Sequence, residues 1–282
     1  MSNEVELIVN AIEGLHSNIA KDYILPIGSV LVSGMLGAGV AYYTVHRQEF
    51  TKIELEKVKT VNATFLAALE FRNNLIGIKK NYEGRIETDP YQRMLAIPPI
   101  LLKENTSKFD IAALSFLVNG SSPSNPVDKW ASIDYIANIG SNYDVLYGIW
   151  KKRNEVITGL MPELSPFFGV GFSNAALEKA IGKGNLATIT DLTERCLHMT
   201  DDLIVELSCF MLGFSHSLKG KIDLRIQKSF GGVLHPTLPS YDEFPAAVDV
   251  LSKVPSVNLR KLARVQNVPR EVVAERYRPL YK

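Results

Sequence analysis

The sequence predicts an all-α protein: a single N-terminal transmembrane helix that continues into a stalk, followed by a cytoplasmic helical bundle. Three observations predict it. Residues 23–45 run for 23 positions without Asp, Glu, Lys, Arg or His. The spacing of apolar residues after that run is helical almost throughout. The basic residues flanking the run lie mainly on its carboxyl side.

Residues 1–22 are expected to form a short amphipathic segment outside the membrane. Val5, Ile8, Ile12, Leu15 and Ile19 follow a 3-4-3-4 spacing, the seam of a helix that lies on a membrane surface or pairs with its copies. A piece this short is marginal as an isolated helix. It does not read as a cleaved leader, because Glu4, Glu6 and Glu13 outweigh Lys21 and the apolar core that follows is too long for a signal peptide.

Residues 23–45 read YILPIGSVLVSGMLGAGVAYYTV. As a helix they span about 34 Å, against a hydrocarbon core of about 30 Å. Nine are Ile, Leu or Val, each worth roughly −0.3 to −0.6 kcal/mol of insertion free energy, with no charge to oppose them. Four glycines and Pro26 dilute the segment. Pro26 falls in the first turn, where its missing N–H costs little. Tyr23 and the Tyr42–Tyr43 pair mark the two ends as interfacial aromatics do. A soluble core helix is the alternative, yet such helices seldom run this far uncharged.

The glycines exclude one other reading. Gly34, Gly37 and Gly39 are spaced G-x-x-G-x-G, the reverse of the dinucleotide fingerprint, and a charged segment follows instead of a second strand. No G-x-x-x-x-G-K-[ST] occurs anywhere in the chain. Orientation follows from the flanks: residues 8–22 carry Lys21, whereas residues 46–60 carry Arg47, Lys52, Lys57 and Lys59. The N-terminus is expected outside the cell (inner) membrane and the remainder in the cytoplasm. Ser29, Ser33, Gly37 and Ala41 recur every four residues and predict a self-association face within the bilayer, hence a homo-oligomer.

Residues 46–282 are expected to form the cytoplasmic α-helical domain, with a sub-boundary in the loop 119–126. From Arg47 to about Tyr82 no proline intervenes, and Val58, Val61, Phe65, Leu69 and Ile76 are assigned to one buried face. Breaks are expected near Asp89–Pro90 and Pro98–Pro99. Asn125 and Pro126 predict the N-cap and first position of a helix over about 126–160. Its Trp130, Tyr135, Tyr143, Tyr147 and Trp150 are read as core, and Lys151–Lys152–Arg153 as a basic helix end.

An irregular connection with one short helix follows. Asp191 with Glu194 then resembles a capping box opening the longest helix, about 191–229, closed by Gly231–Gly232. Within it, Leu203–Leu218 is apolar but interrupted by Glu206 and His216, with flanking charges of the wrong sense for a second span, so it reads as a core helix. Residues 258–278 predict a C-terminal helical hairpin, the most basic part of the chain. Its Arg260, Lys261, Arg264, Arg270 and Arg276 form a possible contact surface for anionic lipid, protein or DNA. DNA is disfavoured, because Gln266 and Arg276 occupy positions where a helix-turn-helix packs apolar residues.

Chemistry is faint. Glu194, His198, Asp202 and Glu206 recur every four residues and form the weak catalytic candidates, on a ridge that otherwise reads as solvated or interhelical. This ridge carries no Glu-x-x-His, the dimetal sites of helical bundles need that motif on two helices, and His-Glu-x-x-His, paired Cys-x-x-Cys and Gly-x-Ser-x-Gly are missing from the sequence, so no metal or cofactor is expected. Cys196 and Cys209 are too few for a disulfide framework, as suits a reducing cytoplasm. Sequons at Asn62, Asn105 and Asn119 read as chance. A net charge of +1 points to no polyanionic partner, and nucleic acid is not expected.

The function expected from sequence is a membrane-anchored scaffold, sensor or effector that acts through protein–protein interaction or self-assembly, its partners being the lipid bilayer, its own copies and an unidentified protein. Two alternatives come from other classes. One is a membrane-bound enzyme with a site around Glu194, His198 and Asp202. The other is an oligomeric pore or membrane-disrupting effector built on the Ser29–Ala41 strip.

Overall fold

The computed structural model describes residues 2–14, 24–118, 128–169, 171–237, 242 and 245–281. Leu15, Ile19, Lys21, Tyr23 and the loop 119–126, including Asn125 and Pro126, lie outside the described residues. Among the described residues all regular structure is helical and no strand occurs. The chain divides into two compact units, Met1–Leu55 and Glu56–Lys282.

The first unit holds α1, Ser2–Gly14, and the beginning of α2, Leu25–Lys79. In α1, Val5, Leu7, Ile8, Val9 and Ile12 are all exposed. Helix α2 is long and apolar enough to cross a membrane, and none of its most apolar 18-residue window is buried. The uninterrupted helix reflects the sequence: after Pro26, no proline occurs before Lys79.

In the second unit the later part of α2 packs with α4, Ile133–Gly159, and α7, Lys183–Ser217. Each presents a seam of buried residues at alternating spacings of three and four. On α2 the seam runs Val58, Val61, Phe65, Ala68, Arg72, Leu75 and Lys79. On α4 it runs Ile136, Ile139, Tyr143, Leu146, Trp150, Arg153 and Ile157, and on α7 Leu186, Thr190, Thr193, Leu197, Thr200, Ile204, Leu207, Met211 and Phe214. That 3.5-residue repeat keeps one stripe facing its neighbours along several turns. Aromatic pairs lock the layers: Phe65 on Phe214, Phe71 on Tyr143, and Tyr82 on Trp150, with ring centroids 5.2, 4.3 and 6.0 Å apart. Each such fully buried side chain contributes roughly 1.5–3 kcal/mol.

The α2 face differs from the expected one. Leu69 is 39% exposed and Ile76 only half-buried, while Arg72 and Lys79 take seam positions. They can do so because each finds a polar partner: Arg72 Nε donates to Ser208 Oγ at 2.8 Å, and Lys79 Nζ to Asp201 Oδ1 at 2.5 Å.

Helix boundaries follow the capping chemistry. Asp89 accepts from the amides of Tyr91 and Gln92 and starts α3, Pro90–Ala96, with Pro90 at its first position. Helix α4 begins at Ile133, not near residue 126, because Ser132 is its N-cap and Asp128 caps a separate 3-10 turn, Lys129–Ala131. It also runs past Lys151–Lys152–Arg153 to Gly159, so that cluster does not end the helix. Short helices α5, Met161–Leu164, and α6, Asn174–Ile181, follow; Ser173 caps the latter.

Helix α7 starts at Lys183, directly after Gly182 at φ 79°, and not at a capping box. Asp191 and Glu194 therefore lie about two and about three turns inside the helix, and Glu194 is buried. The helix stops at Ser217, where Gly220 at φ 76° turns the chain, and a separate helix α8, Leu224–Phe230, is capped by Asp223. Thus the longest helix is α2, and the expected 191–229 helix is two. Leu203, Ile204, Leu207, Phe210, Met211, Phe214 and Leu218 are buried core, as their pattern predicts.

After α9, Pro245–Asp249, the C-terminal hairpin consists of α10, Leu259–Gln266, and α11, Arg270–Arg276. Asn258 caps α10, and Asn267 ends it in the left-handed region at φ 52°. Val257, Leu262, Ala263, Val273 and Tyr277 form a small core of their own, separate from the main cluster.

Candidate functional site

The acidic ridge of α7 is where polar groups concentrate. Glu194, His198, Asp202 and Glu206 share one helix face, as the four-residue repeat requires. The structure sends each of them to a different partner.

Glu194, fully buried, takes Arg93 of α3 side-on: Arg93 Nε donates to Oε1 at 2.7 Å and Nη2 to Oε2 at 3.0 Å. Arg93 Nη1 also donates to the carbonyls of Glu87 and Pro255, at 2.8 and 2.7 Å. Three segments are thereby tied to one guanidinium. His198 lies one turn on, its Nε2 3.7 Å from Glu194 Oε2, and its ring stacks on Tyr277 with centroids 6.0 Å apart. That Nε2 is buried and makes no hydrogen bond. Burial, and then the Arg93 charge, hold the imidazole below its ordinary pKa.

Asp202 accepts from the backbone amides of Leu280 at 3.0 Å and Tyr281 at 3.4 Å. Its neighbour Asp201 binds Lys79 and also accepts from the Val254 amide at 2.8 Å. Glu206 accepts from the Tyr135 hydroxyl of α4, and Lys129 Nζ lies 3.9 Å from the same oxygen. Burial raises the Glu206 carboxyl above the usual range, against the opposing charge of Lys129.

The ridge is thus interhelical, and its lower rungs receive the C-terminal segment. Asp191 completes the docking: it accepts from the Tyr277 hydroxyl and from Arg276 Nη1 at 3.3 Å, while Gln266 bridges Arg276 and Tyr277. Gln266 and Arg276, misfits in a DNA-binding motif, are the hairpin's polar attachment. Of the other basic candidates, Lys261 pairs with Asp89 at 2.5 Å, and Arg260, Arg264 and Arg270 are exposed. Ser29, Ser33, Gly37 and Ala41 are exposed on α2, in the other unit.

Sequence reasoning missed Arg93 and Arg153. Arg153 is fully buried and pairs with no carboxylate among the described residues: it donates to Thr193 Oγ1 and to the carbonyls of Met94, Ile97 and Pro98, which straps residues 94–98 onto α4. Burial lowers its pKa to about 10, leaving it charged at neutral pH. Its three-residue step from Trp150 in the seam was the available signal. Among the described residues no group of three His, Cys, Asp or Glu is arranged to hold a metal ion. Cys196 and Cys209 are free thiols, and burial pushes Cys196 well above the ordinary range.

Between α4 and α7, and bounded by Leu280 and Tyr281, lies a cleft of about 380 Å³ onto which Asp202 and Glu206 open. No known family model, curated protein or solved structure matches this chain.

Proposed function

We propose that this chain is a single-pass protein of the cell (inner) membrane, with its N-terminus outside and its helical unit in the cytoplasm, acting through partner binding and self-assembly. The observation that carries the reading is the surface of α2. From Leu25 to Val45 every residue except the half-buried Gly28 is exposed, although the segment is apolar and uncharged. A soluble monomer seldom leaves so large an apolar patch open to water. A bilayer covers it at no cost to the helix, whose backbone groups are satisfied internally. The orientation rests on Arg47, Lys52, Lys57 and Lys59 following the apolar run.

The ridge supports a binding role over a catalytic one. Glu194, Asp202 and Glu206 are already engaged by Arg93, by two backbone amides and by Tyr135. A nucleophile with its base and orienting group does not emerge from that set. The test is membrane fractionation with an alkaline wash, comparing the full chain with a version beginning at Arg47, followed by protease treatment from each side. Retention of only the full chain, with residues after 56 protected from outside, supports the reading. Equal extraction of both versions would sink it.

A further inference from the structure

The α4–α7 cleft lies wholly within residues 56–282 and stands independently of how α2 is covered. Its volume is that of a small-molecule pocket. Ile139, Met199, Leu203 and Leu280 supply apolar walls, and Asp202 and Glu206 supply carboxylates from consecutive turns of α7. The backbone amides of Leu280 and Tyr281 already occupy both oxygens of Asp202, whereas the Tyr135 hydroxyl takes Oε1 alone of Glu206.

The outer corner shows what Glu206 is suited to hold. Lys129 Nζ sits 4.4 Å from the ring centre of Trp130 and 5.1 Å from that of Tyr135, and 3.9 Å from Glu206 Oε1. Two aromatic faces and a carboxylate thus surround an ammonium that the chain itself provides. The grip on it is loose: the Lys129 side chain is 57% exposed, while that of Glu206 is only 15% exposed. A carboxylate this sheltered gains more from a close cation than one in open water.

We propose that the cleft binds a small primary amine carried on an apolar body. The ammonium replaces Lys129 Nζ against Glu206, Trp130 and Tyr135, and the body lies along Ile139, Met199 and Leu203. The exposed carboxamides of Asn138 and Asn142, one turn apart on the α4 rim, offer hydrogen bonds to a polar substituent. A carboxylate ligand of the same size would face Asp202 and Glu206 and be repelled.

The experiment is calorimetric titration of the full chain in detergent with 2-phenylethylamine, with phenylacetate as the charge-reversed probe and detergent alone as the blank. Saturable binding of the amine and none of the acid is expected. Lys129→Ala, a change at an exposed side chain, removes the internal competitor and should tighten amine binding by roughly two- to fivefold. Glu206→Gln should weaken it by roughly tenfold or more. The proposal is overturned by failure of the amine to bind both the natural chain and Lys129→Ala. Equal binding of the two probes, or looser binding to Lys129→Ala, overturns it as well.

Discussion

The guanidinium of Arg93 and the carboxylate of Glu194 close on each other as a two-point ion pair, at 2.7 and 3.0 Å, with both side chains shut off from solvent. The attraction offsets a desolvation cost that either ion alone could not bear. Removing one partner therefore harms the fold more than removing both. Arg93→Met should cost about 3–5 kcal/mol, a fall in Tm of roughly 6–20 °C for a unit of this size. Arg93→Met with Glu194→Leu should recover most of that loss. Thermal unfolding of the three proteins by circular dichroism decides it, and an additive double variant would show that the pair is not coupled.

Trp130 lies directly over Gly213 of α7. A Cβ there would lie 2.4 Å from the Cγ and Cδ2 atoms of Trp130, near the root of the indole where rotation gives little relief. Gly213→Ala must displace the indole, and with it the Trp130–Tyr135 edge contact at 5.5 Å. A loss of about 1–3 kcal/mol is expected, with a red shift of tryptophan emission as Trp130 moves outward. Unchanged emission and stability would mean that Trp130 does not rest on Gly213 in solution.

His198 predicts a pH dependence. It faces Glu194 on its own helix and Tyr277 from the C-terminal segment, within the fields of Arg93, Asp201, Asp202 and Lys253. Because burial lowers its folded pKa, the unfolded chain binds the proton more readily. Its contribution to stability is complete above its unfolded pKa of about 6.5 and is lost as pH falls toward the folded value. His198→Gln should flatten the stability profile below about pH 6.5, and the His198 Cε1 proton should titrate below 6.5 by NMR. A titration above 6.5 would refute the assigned environment.

These residues explain what could be read in advance. The apolar run at 23–45 is legible because the absence of charge is a local, additive property, as was the core character of Leu203–Leu218. Arg72, Lys79 and Arg153 were not legible as core, because a search for apolar periodicity discards the cations that complete the seam. Glu194 illustrates the same limit. Its three-residue distance from Asp191 imitates a capping box, whereas its true partner lies 101 positions away. Gln266 and Arg276 stand out in the sequence as polar residues where a helix-turn-helix packs apolar ones, but their partner Asp191 on α7 becomes visible only in three dimensions.

Self-association through α2 gives the last prediction. Ser29, Ser33, Gly37 and Ala41 are small and exposed, and among the described residues no side chain lies within 4 Å of where a Cβ on Gly37 would be. Gly37→Leu therefore meets no clash at its Cβ among the described residues. On the proposed reading it adds apolar bulk that the bilayer accepts and that a closely approaching second helix does not. Membrane retention after alkaline wash should be unchanged or stronger, whereas cross-linked dimer should fall by several-fold. Dimer yield unaffected by Gly37→Leu would remove this strip as the assembly surface and turn attention to the exposed Val5, Ile8 and Ile12 of α1.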